Sequence, residues 1–366
     1  MVLDGNPFRP TAGVSPPELV GRELVLDQFA EAMDAGPGHP TRLALLAGQR
    51  GIGKTVLLNE IGEVAAVRGW HVIDLTASPG LVQRVEVEAS RLLREEDPPP
   101  KGRVTGVSVA GLGGVTIERS GEPASDARRT LSLLSDRLAG RGAGVVLTLD
   151  EIHAGPRSEM RALAHLAQHL MREERAFMLV MAGLPSAVSG LLGDESLTFI
   201  RRADRHELAV VDVIDVEVAF ARTFQQHGKI IDGDLCRSMA RASRGYPFLI
   251  QLIGFHVWRR SSDRSIDPDA VRRGIDDALE RLHVLVHEQA LKDISPTDLR
   301  VLKAMAVDEG DSLVSDLAAR LDRDRLWINN YRRRLVDARV IEPTGRGRVR
   351  FAIPYLREYL LEDEDE

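Results

Sequence analysis

The eight residues Gly48-Gln49-Arg50-Gly51-Ile52-Gly53-Lys54-Thr55 constrain this chain more than any other feature. They follow the apolar run Arg42 to Ala47 and lead into a helical pattern from Val56 to Val67, so a buried strand must pass through a glycine-rich loop into a helix. A loop of this composition curls until successive backbone N–H groups and the helix N-terminus converge, which makes a cradle for phosphate oxygens. In such a cradle a lysine ammonium reaches the β- and γ-phosphates, and a threonine hydroxyl is placed for Mg²⁺. Gly48 through Thr55 and the adjoining Val56 are therefore the candidate nucleotide contacts, with Lys54 also a candidate catalytic group.

Further strand-like runs alternate with helical patterns: Trp70 to Leu75, Val145 to Leu149, Phe177 to Ala182 and His206 to Val211. The expected fold class is α/β, a P-loop parallel sheet with helices on both faces over residues 1–211, followed by a helical lid and a winged helix-turn-helix domain. Within the first part, Pro98-Pro99-Pro100 and the alternating valines after it mark an inserted hairpin or loop at 98–124. The lid is expected at 212–292, with Asp267-Pro268 starting its last helix. Helical patterns at Thr297 to Val307, Leu313 to Leu321 and Arg325 to Ala338, then two short strands around Thr344-Gly345-Arg346-Gly347, place the winged helix at 293–361. Residues 362–366, Glu-Asp-Glu-Asp-Glu, read as a solvated acidic tail.

The apolar run Val145 to Leu149 ends in Asp150-Glu151. A carboxylate at a strand's C-terminal end can reach a metal beside the phosphates, so Asp150 joins Thr55 as a candidate Mg²⁺ ligand. Glu151 is the candidate base that orients or deprotonates the attacking water. The competing reading of such a pair is a helix cap and its neighbour. Asp74 reads as structural. His153, His165 and His169 read as ordinary helix-face residues, because no carboxylate lies between the last two.

Two further motifs fall in order around these. Leu19-Val20-Gly21-Arg22-Glu23 precedes the phosphate loop, and Gly245-Tyr246-Pro247-Phe248 lies in the lid region. Together the residues resemble the AAA-plus P-loop ATPases, in the branch of the origin-recognition initiators and archaeal-type regulatory ATPases, over nearly the whole chain. The resemblance implies ATP and Mg²⁺ as cofactors, Val20 and Gly21 along the base, Pro247 in the lid, and a homo-oligomer. It also implies a trans-acting finger among Arg201, Arg202 and Arg205; a solvated cluster is the competing reading, since only five of the 48 basic residues are lysine. Two positions depart from the family pattern. The fourth strand is apolar to its end, leaving only Ser186 beyond it, and the lid's nearest arginine, Arg244, precedes the Gly-Tyr-Pro element instead of following it.

On the pattern Arg325 to Ala338, helical spacing puts Trp327, Ile328, Tyr331 and Leu335 on one arc and Arg325, Asn329, Arg332 and Arg333 on the opposite one. The second arc, with Arg346 at the turn between the strands, is the candidate contact to double-stranded DNA. The overall charge of −7 excludes a uniformly basic DNA-coating protein, and residues 294–358 carry 13 basic and 10 acidic side chains, so the basic face is local. Winged helices also dock proteins, which keeps a protein partner open. No run approaches the roughly 18 apolar residues needed to cross a bilayer, and the first residues lack a basic-then-apolar leader, so no membrane partner and a cytoplasmic location are expected. A single cysteine, Cys236, excludes an intrachain disulfide. The leading functional expectation is an ATP-binding, ATP-hydrolysing protein that couples nucleotide state to DNA binding or remodelling. The alternatives are a nucleotide-dependent signalling switch and a helper ATPase whose winged helix docks a partner.

Overall fold

The computed structural model describes residues 5–11, 13–96, 123–194, 197–261, 264–292 and 294–362, with backbone alone for 123–125. The expected insertion at 98–124 therefore lies outside the described residues, apart from the backbone of its last two. The chain divides into two compact units: Arg22–Gly48 with Lys54–Leu208, and Met1–Gly21 with Gln49–Gly53 and Ala209–Glu366.

The first unit runs α1 (Glu23–Asp34), β1 (Leu43–Ala47), α2 (Lys54–Val67), β2 (His71–Thr76), α3 (Leu81–Glu96), α4 (Pro123–Ala139), β3 (Val145–Asp150), α5 (Arg157–Arg172), β4 (Phe177–Gly183), α6 (Pro185–Gly193) and β5 (Asp204–Glu207). All five strands are parallel, in the order β2-β3-β4-β1-β5. Every residue of β1, β3 and β4 is buried. Because successive side chains point to opposite faces, burial at every position means that helices cover both faces, which is why these strands are continuously apolar in sequence.

The fifth strand corrects the expectation of His206 to Val211. It lies earlier, at Asp204–Glu207, and its exposure alternates because it is an edge strand hydrogen-bonded only to β1. A half-exposed edge needs period-two patterning, not an apolar run. The Thr41 hydroxyl donates to Asp204 at 2.8 Å, and His206 Nε2 lies 3.3 Å from the same carboxylate without making a hydrogen bond to it. Arg42 likewise belongs to a 3-10 turn ahead of β1 instead of the strand, with its guanidinium over the Trp70 ring and its Nε donating to the Ala32 carbonyl.

The second unit contains α7 (Val213–Gln226), α8 (Gly233–Ser243), α9 (Pro247–Arg260), α10 (Pro268–Leu282), a π turn (His283–His287), α11 (Glu288–Leu291), α12 (Pro296–Ala306), β6 (Ser312–Leu313), α13 (Val314–Arg320), α14 (Arg325–Asp337), β7 (Ile341–Gly345), β8 (Arg348–Phe351) and α15 (Leu356–Glu362). Short polar side chains start these helices, Asp267 among them as expected from the sequence. Asp212, Asp232, Asp267, Ser295 and Asp324 each accept a backbone N–H of the first turn. Two apolar clusters result. One joins α7 to α10 around Phe220, Phe224, Met239, Ile253 and Val257, and takes in Phe8 and the buried Cys236. The other joins α12 to α15 and the antiparallel sheet β6-β8-β7 around Leu302, Leu317, Ile328, Leu335, Val349 and Leu360.

Between the two clusters the π turn buries His287 completely, and its Nε2–H donates to the Pro354 carbonyl at 2.8 Å. Burial pushes its pKa down to about 4, against the pull of that carbonyl, with the neighbouring His283 also favouring the neutral ring. The unfolded chain therefore takes up a proton before the folded one does. This contribution to stability is whole above about pH 6.5, is lost as pH falls from there to 4, and amounts to about 3 kcal/mol across that window. Denaturant unfolding at pH 7.5 and 4.5 should show this loss, and His287→Asn should make the profile flatter over the same range.

Candidate functional site

The sequence places a helix directly after the glycine-rich loop, and α2 begins at Lys54 itself, two residues earlier than the apolar pattern suggests. Gly51 and Gly53 take φ of +71° and +92°, backbone that other residues adopt only with strain. In the first unit, Lys54 is buried, with its ammonium donating to the Gly48 carbonyl at 3.0 Å, and Gly48 N–H donates to the Gly183 carbonyl across from β4. The Thr55 hydroxyl donates to Asp150 Oδ2 at 2.5 Å, and Asp150 Oδ1 accepts the Glu151 N–H at 2.7 Å. Strand β3 thus carries Asp150 to the start of α2, where one hydroxyl and one carboxylate meet.

Glu151 stands just past β3 with φ of +53°, a left-handed conformation that turns the chain off the sheet. Its carboxylate lies 3.1 Å from His153 Nδ1, and both side chains are partly exposed. This partner was not legible in the sequence, where His153 reads as a bystander. Asp74 is structural as expected, accepting the Thr148 hydroxyl at 2.6 Å between neighbouring strands.

Arg201 and Arg202 form a 3-10 turn and Arg205 lies in β5; all three are exposed. They are not equivalent. Arg201 Nε donates to the Leu192 carbonyl at 2.9 Å and Arg205 to the Arg201 carbonyl at 3.4 Å, whereas Arg202 has no partner among the described residues. Ser186 is exposed in the first turn of α6.

In the second unit, loop residues 49–53 meet the start of α9. The Tyr246 hydroxyl donates to the Arg50 carbonyl at 3.0 Å, and a Cβ on Gly51 would stand 2.0 Å from that phenolic oxygen. Pro247 occupies the first turn of α9, and Val20 packs on the cluster of α7 to α10, while Gly21 has φ of +69°. Gln49 Nε2 donates to Glu342 on β7 at 3.1 Å, and Arg350 on β8 takes the other Glu342 oxygen at 2.6 Å. Arg244, which precedes the Gly-Tyr-Pro element, stacks its guanidinium on the Tyr355 ring at 3.7 Å and pairs with Glu358. An exposed cation beside a flat ring and a carboxylate gains from both, and no sequence signal ties residues more than a hundred positions apart.

On α14 the expected arcs appear: Ile328 and Leu335 are buried and Trp327 and Tyr331 half-buried, while Arg325, Asn329 and Arg333 are exposed and Arg332 half-buried. A groove of about 410 Å³ is lined by Leu326, Asn329, Arg332, Arg333, Val336 and Pro343. Arg346 is exposed at the β7–β8 turn. Arg334, outside both arcs, pairs with the buried Asp298 at 2.7 Å.

Residues 18–180 match the AAA ATPase domain, and residues 285–360 match a domain of unknown function, DUF8462. No curated protein is detectably similar in sequence. Among solved structures, the Walker-type ATPase of Pyrococcus abyssi superposes with a TM-score of 0.67 at 17% identity, covering 94% of this chain and 96% of its own. The ORC2 protein of Aeropyrum pernix, solved as ADPNP-ADP complexes, gives 0.60 at 15% identity, covering 97% of this chain and 98% of its own. An arginine-to-alanine variant of RuvB from Thermotoga maritima gives 0.50 at 19% identity, with 94% and 96% covered. At these identities the likeness is one of fold. No described helix is long and apolar enough to cross a membrane. The strand–loop–helix bearing Lys54 and Thr55, the carboxylate pair closing β3 and the match over residues 18–180 converge: this chain carries an AAA-plus domain and is an ATP-binding ATPase.

Proposed function

We propose that this ATPase couples its nucleotide state to binding of double-stranded DNA through a C-terminal winged helix, formed by α12 to α14 and the sheet β6-β8-β7, and that it works as a homo-oligomer. The observation that carries the reading is an unpaired basic face. Among the described residues Arg325, Arg332, Arg333 and Arg346 have no acidic partner, while Arg320, Arg334 and Arg350 nearby are each neutralised by a carboxylate. Unneutralised guanidinium groups on an exposed helix and hairpin turn suit phosphate oxygens, and Asn329 between them suits base edges. Coupling has a physical route in the second unit, because β7 holds Gln49 of the phosphate loop through Glu342.

At the ATP site, Lys54 and the amides of Gly48 to Thr55 bind the phosphates beside Val56, and the family resemblance implies base and lid contacts from Val20, Gly21 and Pro247. Thr55 and Asp150 supply two oxygen donors 2.5 Å apart, the hard-ligand chemistry that Mg²⁺ takes. Bound there, the ion would neutralise charge on the phosphates. Glu151 accepts the proton of the attacking water. Arg202, exposed and without a partner among the described residues, leads Arg201 and Arg205 as the group that would enter a neighbouring subunit's site.

The test is salt-dependent DNA binding. Full-length protein with ATP should bind duplex DNA at low salt, and replacing Arg332 and Arg333 with Ala should flatten the slope of log affinity against log salt by about two units. Full-length protein with no DNA affinity at low salt, and a double variant indistinguishable from it, would favour a protein partner on this face.

A further inference from the structure

We propose that Tyr246 is a positioning residue of the ATP site, fixing the orientation of one phosphate-loop peptide through its hydroxyl. Three features of the second unit support this. The phenol O–H donates to the Arg50 carbonyl at 3.0 Å. The ring occupies the space that a side chain on residue 51 would need, so Gly51 is required by contact as well as by its φ of +71°. Tyr246 itself cannot drift. It is 5% exposed, and it follows Gly245, whose φ of +69° and carbonyl bond from Val211 N–H at 2.8 Å leave no room for a Cβ, which would stand 2.0 Å from the Val211 oxygen. Burial also raises the Tyr246 pKa to about 12, so the phenol stays protonated and remains a donor at any working pH.

The consequence follows from peptide geometry. In a trans peptide the carbonyl and the next N–H point to opposite sides of the chain. Holding the Arg50 oxygen therefore holds the Gly51 N–H, one of the loop donors on which phosphate binding depends. Glycine at position 51 would otherwise let this peptide rotate at little steric cost, and each competing orientation would have to be given up when ATP binds. Tyr246 removes that freedom beforehand, from the N-cap position just ahead of α9. Neither its ring nor its hydroxyl needs to touch the nucleotide for this effect.

Tyr246→Phe separates the hydroxyl from the ring that fills the Gly51 space. The variant should bind ATP about three- to ten-fold more weakly, the range expected for one net hydrogen bond. Hydrogen exchange in the nucleotide-free variant should be faster at residues 50–53 and unchanged across α9, with a melting temperature close to that of the parent. Wild-type ATP affinity in a folded Tyr246→Phe protein would overturn the proposal. So would a weakened affinity accompanied by faster exchange throughout α9, which would make Tyr246 a packing residue of the helix and nothing more.

Discussion

Lys54→Ala should lower ATP affinity by about 100-fold or more while leaving the protein folded. The Lys54 ammonium is buried, donates to the Gly48 carbonyl, and stands at the first turn of a helix entered from a glycine-rich loop. A charge-assisted hydrogen bond is worth about 1.5–3 kcal/mol, and the helix N-terminus and loop amides that remain cannot replace a full positive charge against a triphosphate. Folding should be little affected, since burying an ammonium tied to a carbonyl is no large source of stability. Titration with a fluorescent ATP analogue, alongside a thermal melt, measures both. Undiminished affinity in a folded variant would make the loop a structural turn.

Glu151→Gln should keep ATP affinity and lose about 10²- to 10⁴-fold in the hydrolytic step, the range that a positioned general base supplies. The amide is isosteric and can still orient water, but it cannot take the proton. Retained binding is expected because Glu151 lies beyond the Asp150 carboxylate that meets Thr55, with its own carboxylate on His153. Single-turnover hydrolysis with ATP prebound isolates that step from product release. Equal rates for the parent and the variant would remove Glu151 from the chemistry and leave Asp150 as the sole functional carboxylate of the pair.

Most of the first unit was legible because its information is local. A phosphate loop is a contiguous run of residues, and strands buried on both faces are contiguous apolar runs, so β1, β3 and β4 and the start of α2 could be read within a few positions. The pairs Thr55 with Asp150 and Asp74 with Thr148 follow from strand order once parallel pairing is assumed. The edge strand β5 escaped because its burial is one-sided and its residues are charged, which reads as a loop unless the neighbouring strand is known.

By itself, then, the sequence determined the α/β class, the nucleotide loop, the carboxylate pair and the basic arc of α14, all features carried by neighbouring residues or by helical periodicity. Tertiary structure alone decided which charges are spent within the protein: Arg244 on Tyr355 and Glu358, Arg334 on Asp298, and Glu342 shared between Gln49 and Arg350. It also decided that Tyr246 reaches the Arg50 carbonyl, 196 positions away. The reason is physical. Hydrogen bonds and ion pairs act over a few ångströms in space and leave no periodic trace along the chain, so a side chain's partner becomes readable only when folding has brought the two together.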